Sequence, residues 1–173
     1  MQASEKTNHF HADALRKGRC SEKFGLYLIT KCVKKPAILT PSQRSDAVEA
    51  LLFSRQAGDV LLHAFVVMPD HWHCLLSLAG EKTLGKTVEV IGRRARYLAR
   101  QRAETIGWVS GFHDRKIRAG ESVTDIVRYI ENNPVRKTLV GNASEWLWSS
   151  ANPQYQHRLD RSFLDHERWS DRR

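Results

Sequence analysis

Apolar residues fall into two kinds of pattern along the chain. Phe24 to Val33 (FGLYLITKCV), Val60 to Met68 (VLLHAFVVM) and His71 to Ala79 (HWHCLLSLA) are short runs rich in β-branched and aromatic residues. Runs of that length bounded by turn residues predict strands. Only Pro69-Asp70 separates the second run from the third, so these two strands form an antiparallel hairpin. Elsewhere apolar residues return at spacings of three and four, the mark of a helix with one buried face. Ala47, Val48, Ala50, Leu51 and Leu52 do so after Thr40-Pro41, where Thr is a good N-cap, Pro a good first helical residue, and Gly58 closes the helix. Leu84, Val88, Ile91, Ala95 and Leu98 predict a helix over 84–104, and Val123, Ile126, Val127 and Ile130 one over 121–133, with Ser122 as a candidate cap. Pro134 to Val140 reads as a second short helical piece ended by Gly141, and Trp108 to Ile117 as a fourth strand or an irregular loop.

The order β-α-β-β-α-(β)-α matches a ferredoxin-like, RRM-like α+β sandwich with an additional C-terminal helix. Residues 1–22 are polar and weakly patterned and read as a basic arm, residues 23–151 as the domain, and 152–173 as a polar basic tail.

Composition narrows the function. Of 173 residues 41% are hydrophobic, enough for a real core and against a disordered chain. Lys plus Arg is 28 against 19 for Asp plus Glu, a net charge of +9 that favours a polyanionic partner, nucleic acid first. No apolar run approaches the roughly 18 residues of a membrane span, and the N-terminus lacks the apolar stretch of a signal peptide. The expected setting is cytoplasmic, without a membrane. Cys20, Cys32 and Cys74 form no CxxC pair, which excludes a zinc ribbon or a disulfide scaffold.

Two constellations carry chemistry. His71 and His73 alternate with Trp72 on the third strand, so both rings leave the same, exposed face while Trp72, Cys74, Leu76 and Leu78 take the core face. Their spacing along the strand is roughly 7 Å, and two imidazoles so placed suit a divalent transition metal. The same pattern without a bound ion would be two half-exposed histidines. His9-Phe10-His11 repeats the string in the polar arm with no strand around it. On the last main helix Tyr129 and Asn133 are four apart and share a face. Tyr129 lies at the edge of the apolar stripe, where it is either an amphipathic boundary residue or an exposed nucleophile for phosphorus. Its ordinary pKa of about 10 calls for help from a cation on the phosphate. Asn133 precedes Pro134, as an N-cap would, and its amide oxygen could also complete a metal shell, with Asn132 a rival. Tyr27 belongs to a core strand, Tyr97 to the basic helix and Tyr155 to the tail.

His71-Trp72-His73 resembles the His-hydrophobic-His motif of single-strand DNA nucleases and transposases. The wider series AFVVMPDHWHCLL, GFHDRKIR, VRYIENNPVRKTLV and WLWSSA, over about Tyr27 to Ala151, resembles the REP-associated tyrosine transposases. The resemblance implies a ferredoxin-like fold, His71 and His73 as metal ligands, Tyr129 as nucleophile and Asn133 as a third ligand. It implies dependence on Mg²⁺ or Mn²⁺ and cleavage of single-stranded DNA next to a hairpin, through a 5′-phosphotyrosine with release of a 3′-OH. Two imidazoles favour Mn²⁺ at least as much as Mg²⁺, which prefers oxygen. Candidate hairpin contacts are Arg16, Lys17 and Arg19 in the arm, Arg93, Arg94, Arg96 and Arg100 on the basic helix, and Arg115 and Lys116. A monomer is the favoured state, with a homodimer possible.

Two other classes fit parts of the chain. A non-catalytic RRM-like module could present a basic sheet to single strands, but leaves the paired histidines and Tyr129 unexplained. Gly80 to Thr87 (GEKTLGKT) satisfies the spelling of a phosphate-binding loop between a strand and a helix. A nucleotide hydrolase of that kind, however, needs a parallel sheet, and the preceding strand is the second arm of a hairpin.

Overall fold

A computed structural model describes residues 21–162. The arm residues Arg16, Lys17 and Arg19 lie outside that range. The strands are β1 (Leu26–Cys32), β2 (Val60–Val67), β3 (His71–Leu78) and β4 (His113–Lys116). The helices are α1 (Pro41–Gln56), α2 (Leu84–Arg100), α3 (Val123–Glu131) and the single turn α4 (Asn133–Arg136), and short 3-10 turns follow at Ala143–Glu145 and Pro153–Arg158. The strands form one antiparallel sheet in the order β2-β3-β1-β4, the ferredoxin-like arrangement.

The local signals explain the elements. Thr40 caps α1 in a reciprocal capping box with Gln43, and Gly58, at φ 74°, ends the turn that follows. Ser122 caps α3 by accepting from Asp125 N–H. α2 stops at Arg100 rather than 104, because Ala103 takes the left-handed conformation at φ 57° and turns the chain back. The fourth strand is real but short. Buried Lys31 of β1 brings it in, its Nζ donating to the carbonyls of Val109 (2.7 Å) and Gly111 (2.6 Å). The piece expected over Pro134 to Val140 is confined to the four residues of α4.

The sheet is covered on both faces. α1 and α2 pack on one, against Tyr27, Ile29, Phe65, Trp72, Cys74 and Leu76. α3 packs on the other, placing Val123, Ile126, Val127 and Ile130 against Ala64, Val66 and Leu75. The face that carries His71 and His73 is therefore roofed over much of its area rather than open, because Leu75 on the same row needs a cover. The roof removes the platform that an RRM-like module would offer to bases. The antiparallel sheet likewise denies Gly80 to Thr87 a phosphate-loop role. Leu84 N–H is taken by Ser21 Oγ (2.9 Å), Lys86 N–H by Thr83 Oγ1 (3.3 Å), and the Lys86 ammonium by Glu89.

The stretch 152–162, expected to begin a tail, is packed onto the domain along β2. β2 has a bulge at His63, where the register shifts between Leu62 and Ala64. Asp160 occupies it: its carboxylate accepts two hydrogen bonds from Arg55 (2.7 and 2.8 Å) and one from Leu62 N–H (2.8 Å), and its carbonyl accepts from His63 Nδ1. Upstream, Trp146 Nε1 donates to the Val67 carbonyl (3.0 Å) and Val67 N–H to that of Trp148 (2.8 Å). The segment thus covers an otherwise bare sheet edge.

Asp160→Ala removes one acceptor from three donors at once. Hydrogen bonds to charged groups are worth about 1.5–3 kcal/mol, so a loss of about 2 kcal/mol in urea unfolding is expected, with a fall in Tm of roughly 4–8 °C. An unchanged urea midpoint would show that the Asp160 carboxylate adds nothing to the fold.

Candidate active site

β3 opens straight after the Pro69-Asp70 turn, so the first two residues on its α3-facing side, His71 and His73, stand at the rim of the sheet. Alternation puts both rings on one side, and the rings close towards each other: Nε2 of His71 and Nε2 of His73 are 3.0 Å apart. Each Nδ1 is held from behind. Asp70 Oδ1 lies 2.6 Å from His71 Nδ1, and Thr30 Oγ1, on the neighbouring strand in register with His73, lies 2.7 Å from His73 Nδ1.

These partners limit where the protons sit. A carboxylate only accepts, so His71 carries a proton on Nδ1, and in the neutral ring its Nε2 is the acceptor. Thr30 can act in either sense. With its hydroxyl donating, His73 carries its proton on Nε2 and donates it to His71. With the hydroxyl accepting, the proton sits on Nδ1 and both Nε2 lone pairs point at one place. The second arrangement is what a divalent cation requires. A separation of 3.0 Å is also what two nitrogens on one ion show at bonds of roughly 2.1 Å and a near-right angle. The donor set therefore fits a metal. Among the described residues no third His, Cys, Asp or Glu completes a cluster, so further ligands would be amide oxygen, water or substrate.

Burial, and then the charge of His71, push the His73 pKa down from 6.5 to about 4. Asp70 is held below its ordinary value: burial works upward, but the hydrogen bond to His71 and the charges of His71 and Lys137 outweigh it. At neutral pH the site thus offers an uncharged His73 beside an ionised carboxylate.

α3 crosses above this pair. Tyr129 is 44% exposed, and its ring centroid is 6.2 Å from that of His73. Among the described residues the phenol oxygen has no hydrogen-bond partner. Of the other tyrosines, Tyr27 is buried, Tyr155 packs edge-on against Phe65 at 5.2 Å, and Tyr97 is exposed on α2. Asn133 is buried one helical turn beyond Tyr129, and its amide nitrogen donates to the carbonyls of Tyr129 (3.0 Å) and Ile130 (3.4 Å). It ties down the C-terminal end of α3. The N-cap position of the following turn belongs to Asn132, which makes no capping bond there. With its nitrogen committed to the helix, the amide oxygen of Asn133 is the atom left for a ligand.

The structure divides the candidate DNA contacts. Arg115 and Lys116 lie on the edge strand β4, opposite Leu28 and Tyr27 of β1, and are ion-paired to Glu121 and Glu22. Arg93, Arg94, Arg96 and Arg100 belong to α2, on the layer opposite Tyr129. Arg93 reaches Glu89 at 3.7 Å, and Arg94 lies over the rings of Phe53 (4.3 Å) and Tyr97 (5.9 Å). Sequence reading missed three residues around the site. Thr30 and Asp70 hold the imidazoles from behind, and Arg136 lies with its guanidinium 5.0 Å from the Tyr129 ring. Asp70, adjacent to His71, was findable; Thr30 depends on strand register, and Arg136 on the turn after α3.

No family profile matches the chain, and no curated protein matches its sequence. Among solved structures, that of the REP-associated tyrosine transposase bound to a REP hairpin aligns with a TM-score of 0.64. It is 24% identical, over 76% of this chain and 79% of that one. A candidate transposase from Deinococcus radiodurans R1 aligns at a TM-score of 0.40 and 19% identity, over 67% of this chain and 95% of that one. The first of these likenesses establishes the ferredoxin-like fold.

Two measurements test the electrostatics. In the metal-free protein the His73 ring resonances should stay those of a neutral imidazole from pH 8 downward and titrate near 4. The stability linked to this group is complete above 6.5 and is lost as pH falls towards 4, since the unfolded chain binds the proton more readily there. A His73 that titrates near 6.5 would contradict the buried geometry. Thr30→Val keeps the shape and removes the hydroxyl, so Mn²⁺ affinity by calorimetry should fall about tenfold or more.

Proposed function

We propose that the chain is a metal-dependent, single-strand DNA endonuclease of the REP-associated tyrosine transposase kind, acting next to DNA hairpins. The observation that carries the reading is the exposed Tyr129, its ring centroid 6.2 Å from that of His73, whose Nε2 in turn lies 3.0 Å from that of His71. The likeness in fold to a transposase bound to a REP hairpin supports it, as do the net charge of +9 and the coverage of the sheet face on which a binding module would rely.

In this reading His71 and His73 hold Mg²⁺ or Mn²⁺, with Asn133 as a third ligand through its amide oxygen. The bound ion would neutralise the scissile phosphate and help to align it. The chain's own groups do the rest. Asp70 and Thr30 fix the imidazoles. Asn133 anchors the end of α3 and so the position of Tyr129. The phenol oxygen of Tyr129 attacks phosphorus, its proton passing to solvent. An Oη–P bond forms, the P–O3′ bond breaks, and the departing oxygen takes a proton to become a 3′-OH. The enzyme remains joined to the 5′-phosphate, and because one phosphodiester replaces another, rejoining needs no nucleotide cofactor.

The test is a denaturing gel for protein–DNA adducts, using a labelled single-stranded hairpin with flanking sequence and Mn²⁺, Mg²⁺ or EDTA. The expected result is a metal-requiring adduct that Tyr129→Phe abolishes with DNA binding retained. His71→Ala/His73→Ala should lose cleavage and keep most of the phosphate-driven binding. An adduct that persists in Tyr129→Phe would remove this residue from the role.

A further inference from the structure

Many surface cations among the described residues already have a carboxylate. Arg115 pairs with Glu121, Arg102 with Asp46 and Arg161 with Glu131. On the helix of Tyr129 itself, Arg128 pairs with Asp125 at 3.2 Å. Arg136 is different. It is exposed, and no carboxylate among the described residues comes within ion-pair distance. Its guanidinium lies over the face of Tyr129, 5.0 Å from guanidinium carbon to ring centroid. A cation above an aromatic face is attracted to the ring, but the contact leaves the guanidinium's fork of donors unused. Lys137 is likewise exposed and without an ion pair among the described residues, and its charge contributes to holding Asp70 ionised.

The turn after α3 sets this placement. Asn133 seals the end of α3, and Pro134 follows at the second position of the next turn. Arg136 N–H then donates to the Asn132 carbonyl (2.9 Å) and Lys137 N–H to that of Asn133 (3.1 Å). One helical turn so closed brings position 136 back beside position 129. Two cations whose side-chain donors have no partner among the described residues therefore serve this end of the sheet, Arg136 over Tyr129 and Lys137 within electrostatic reach of Asp70, while the arginines of α2 lie on the far side of the sheet.

We propose that Arg136, assisted by Lys137, is the anion-binding arm of this site and holds the non-bridging oxygens of the phosphodiester that Tyr129 attacks. The proposal rests on the reading of Tyr129 as nucleophile. A planar guanidinium can give parallel hydrogen bonds to two phosphate oxygens, and an ammonium adds a point charge beside it. Arg136 exchanges no proton and forms no bond. It stabilises negative charge on the phosphoryl oxygens while the Oη–P bond forms and the P–O3′ bond breaks.

The test measures binding and chemistry separately on the full chain. A fluorescein-labelled single strand flanking a hairpin is titrated in EDTA at several salt concentrations, with wild type, Arg136→Ala, Arg136→Lys and Arg128→Ala. One phosphate contact on single-stranded DNA contributes about 0.7 to the slope of log K against log salt. Arg136→Ala should lower the slope by about that amount and Arg136→Lys should keep it. Arg128→Ala, whose charge is already spent on Asp125, should match wild type. With Mn²⁺ and saturating DNA, adduct formation should slow about a hundredfold in Arg136→Ala and less in Arg136→Lys. Melting curves check that the exposed substitutions leave the fold intact. A wild-type slope and affinity in Arg136→Ala overturns the proposal, even where the adduct forms normally. So does an equal loss in Arg128→Ala, which would reduce the effect to bulk charge. A slope change in Arg136→Ala with no adduct from wild type keeps the phosphate contact and overturns the nucleophile reading instead.

Discussion

The packing of α3 on Leu75 is the contact on which the site depends. His71, His73 and Leu75 are one alternating row of β3, polar at the rim and apolar further in. The apolar end must be covered, and Ile126, Val127 and Ile130 cover it together with Ala64 and Val66. A helix seated there carries Tyr129, on its free edge, past the polar end of the same row. The hydrophobic effect thus places the tyrosine beside the histidines without any direct bond between them. Asn133 then prevents the end of α3 from fraying, by taking up two of the carbonyls a helix leaves unsatisfied.

Burial explains both the chemistry of the pair and its cost. The roof that positions Tyr129 also desolvates His73, which lowers its proton affinity and keeps a nitrogen lone pair available at neutral pH. Asp70 at the tight turn and Thr30 on the adjacent strand supply the polar contacts that such rings require. The same two-sided burial accounts for the C-terminal strap. With both faces occupied, the β2 edge is where the sheet stays vulnerable, and Trp146, Ser150 and Asp160 close it with hydrogen bonds to β2.

The charge of the chain is distributed unevenly in use. Many basic side chains are committed to carboxylates or to aromatic rings, and the basic helix α2 lies across the sheet from the tyrosine. A count of arginines therefore favours a polyanionic partner and says nothing of where it would sit. The exposed cations of the turn after α3, without an ion pair among the described residues, stand beside Tyr129, although they are fewer than those of α2.

Local physics made much of the molecule legible in the sequence. Period-two and period-four patterns, the Thr40-Pro41 start, the Ser122 cap and the two-residue Pro69-Asp70 connection determine the strands, the helices and the hairpin, because each depends on neighbours within a few residues. The alternation of His71, Trp72 and His73 likewise determines that both rings share a side. The tertiary structure alone decided that this side is roofed, that α3 rather than α2 is the roof, and that Thr30 stands behind His73. It also decided that Asn133 secures the helix before it rather than the turn after it, and that residues 152–162 belong to the domain. Each of these depends on which surfaces meet across the sheet, and on a strand register set by contacts tens of residues apart. A chain read one neighbourhood at a time does not contain that information.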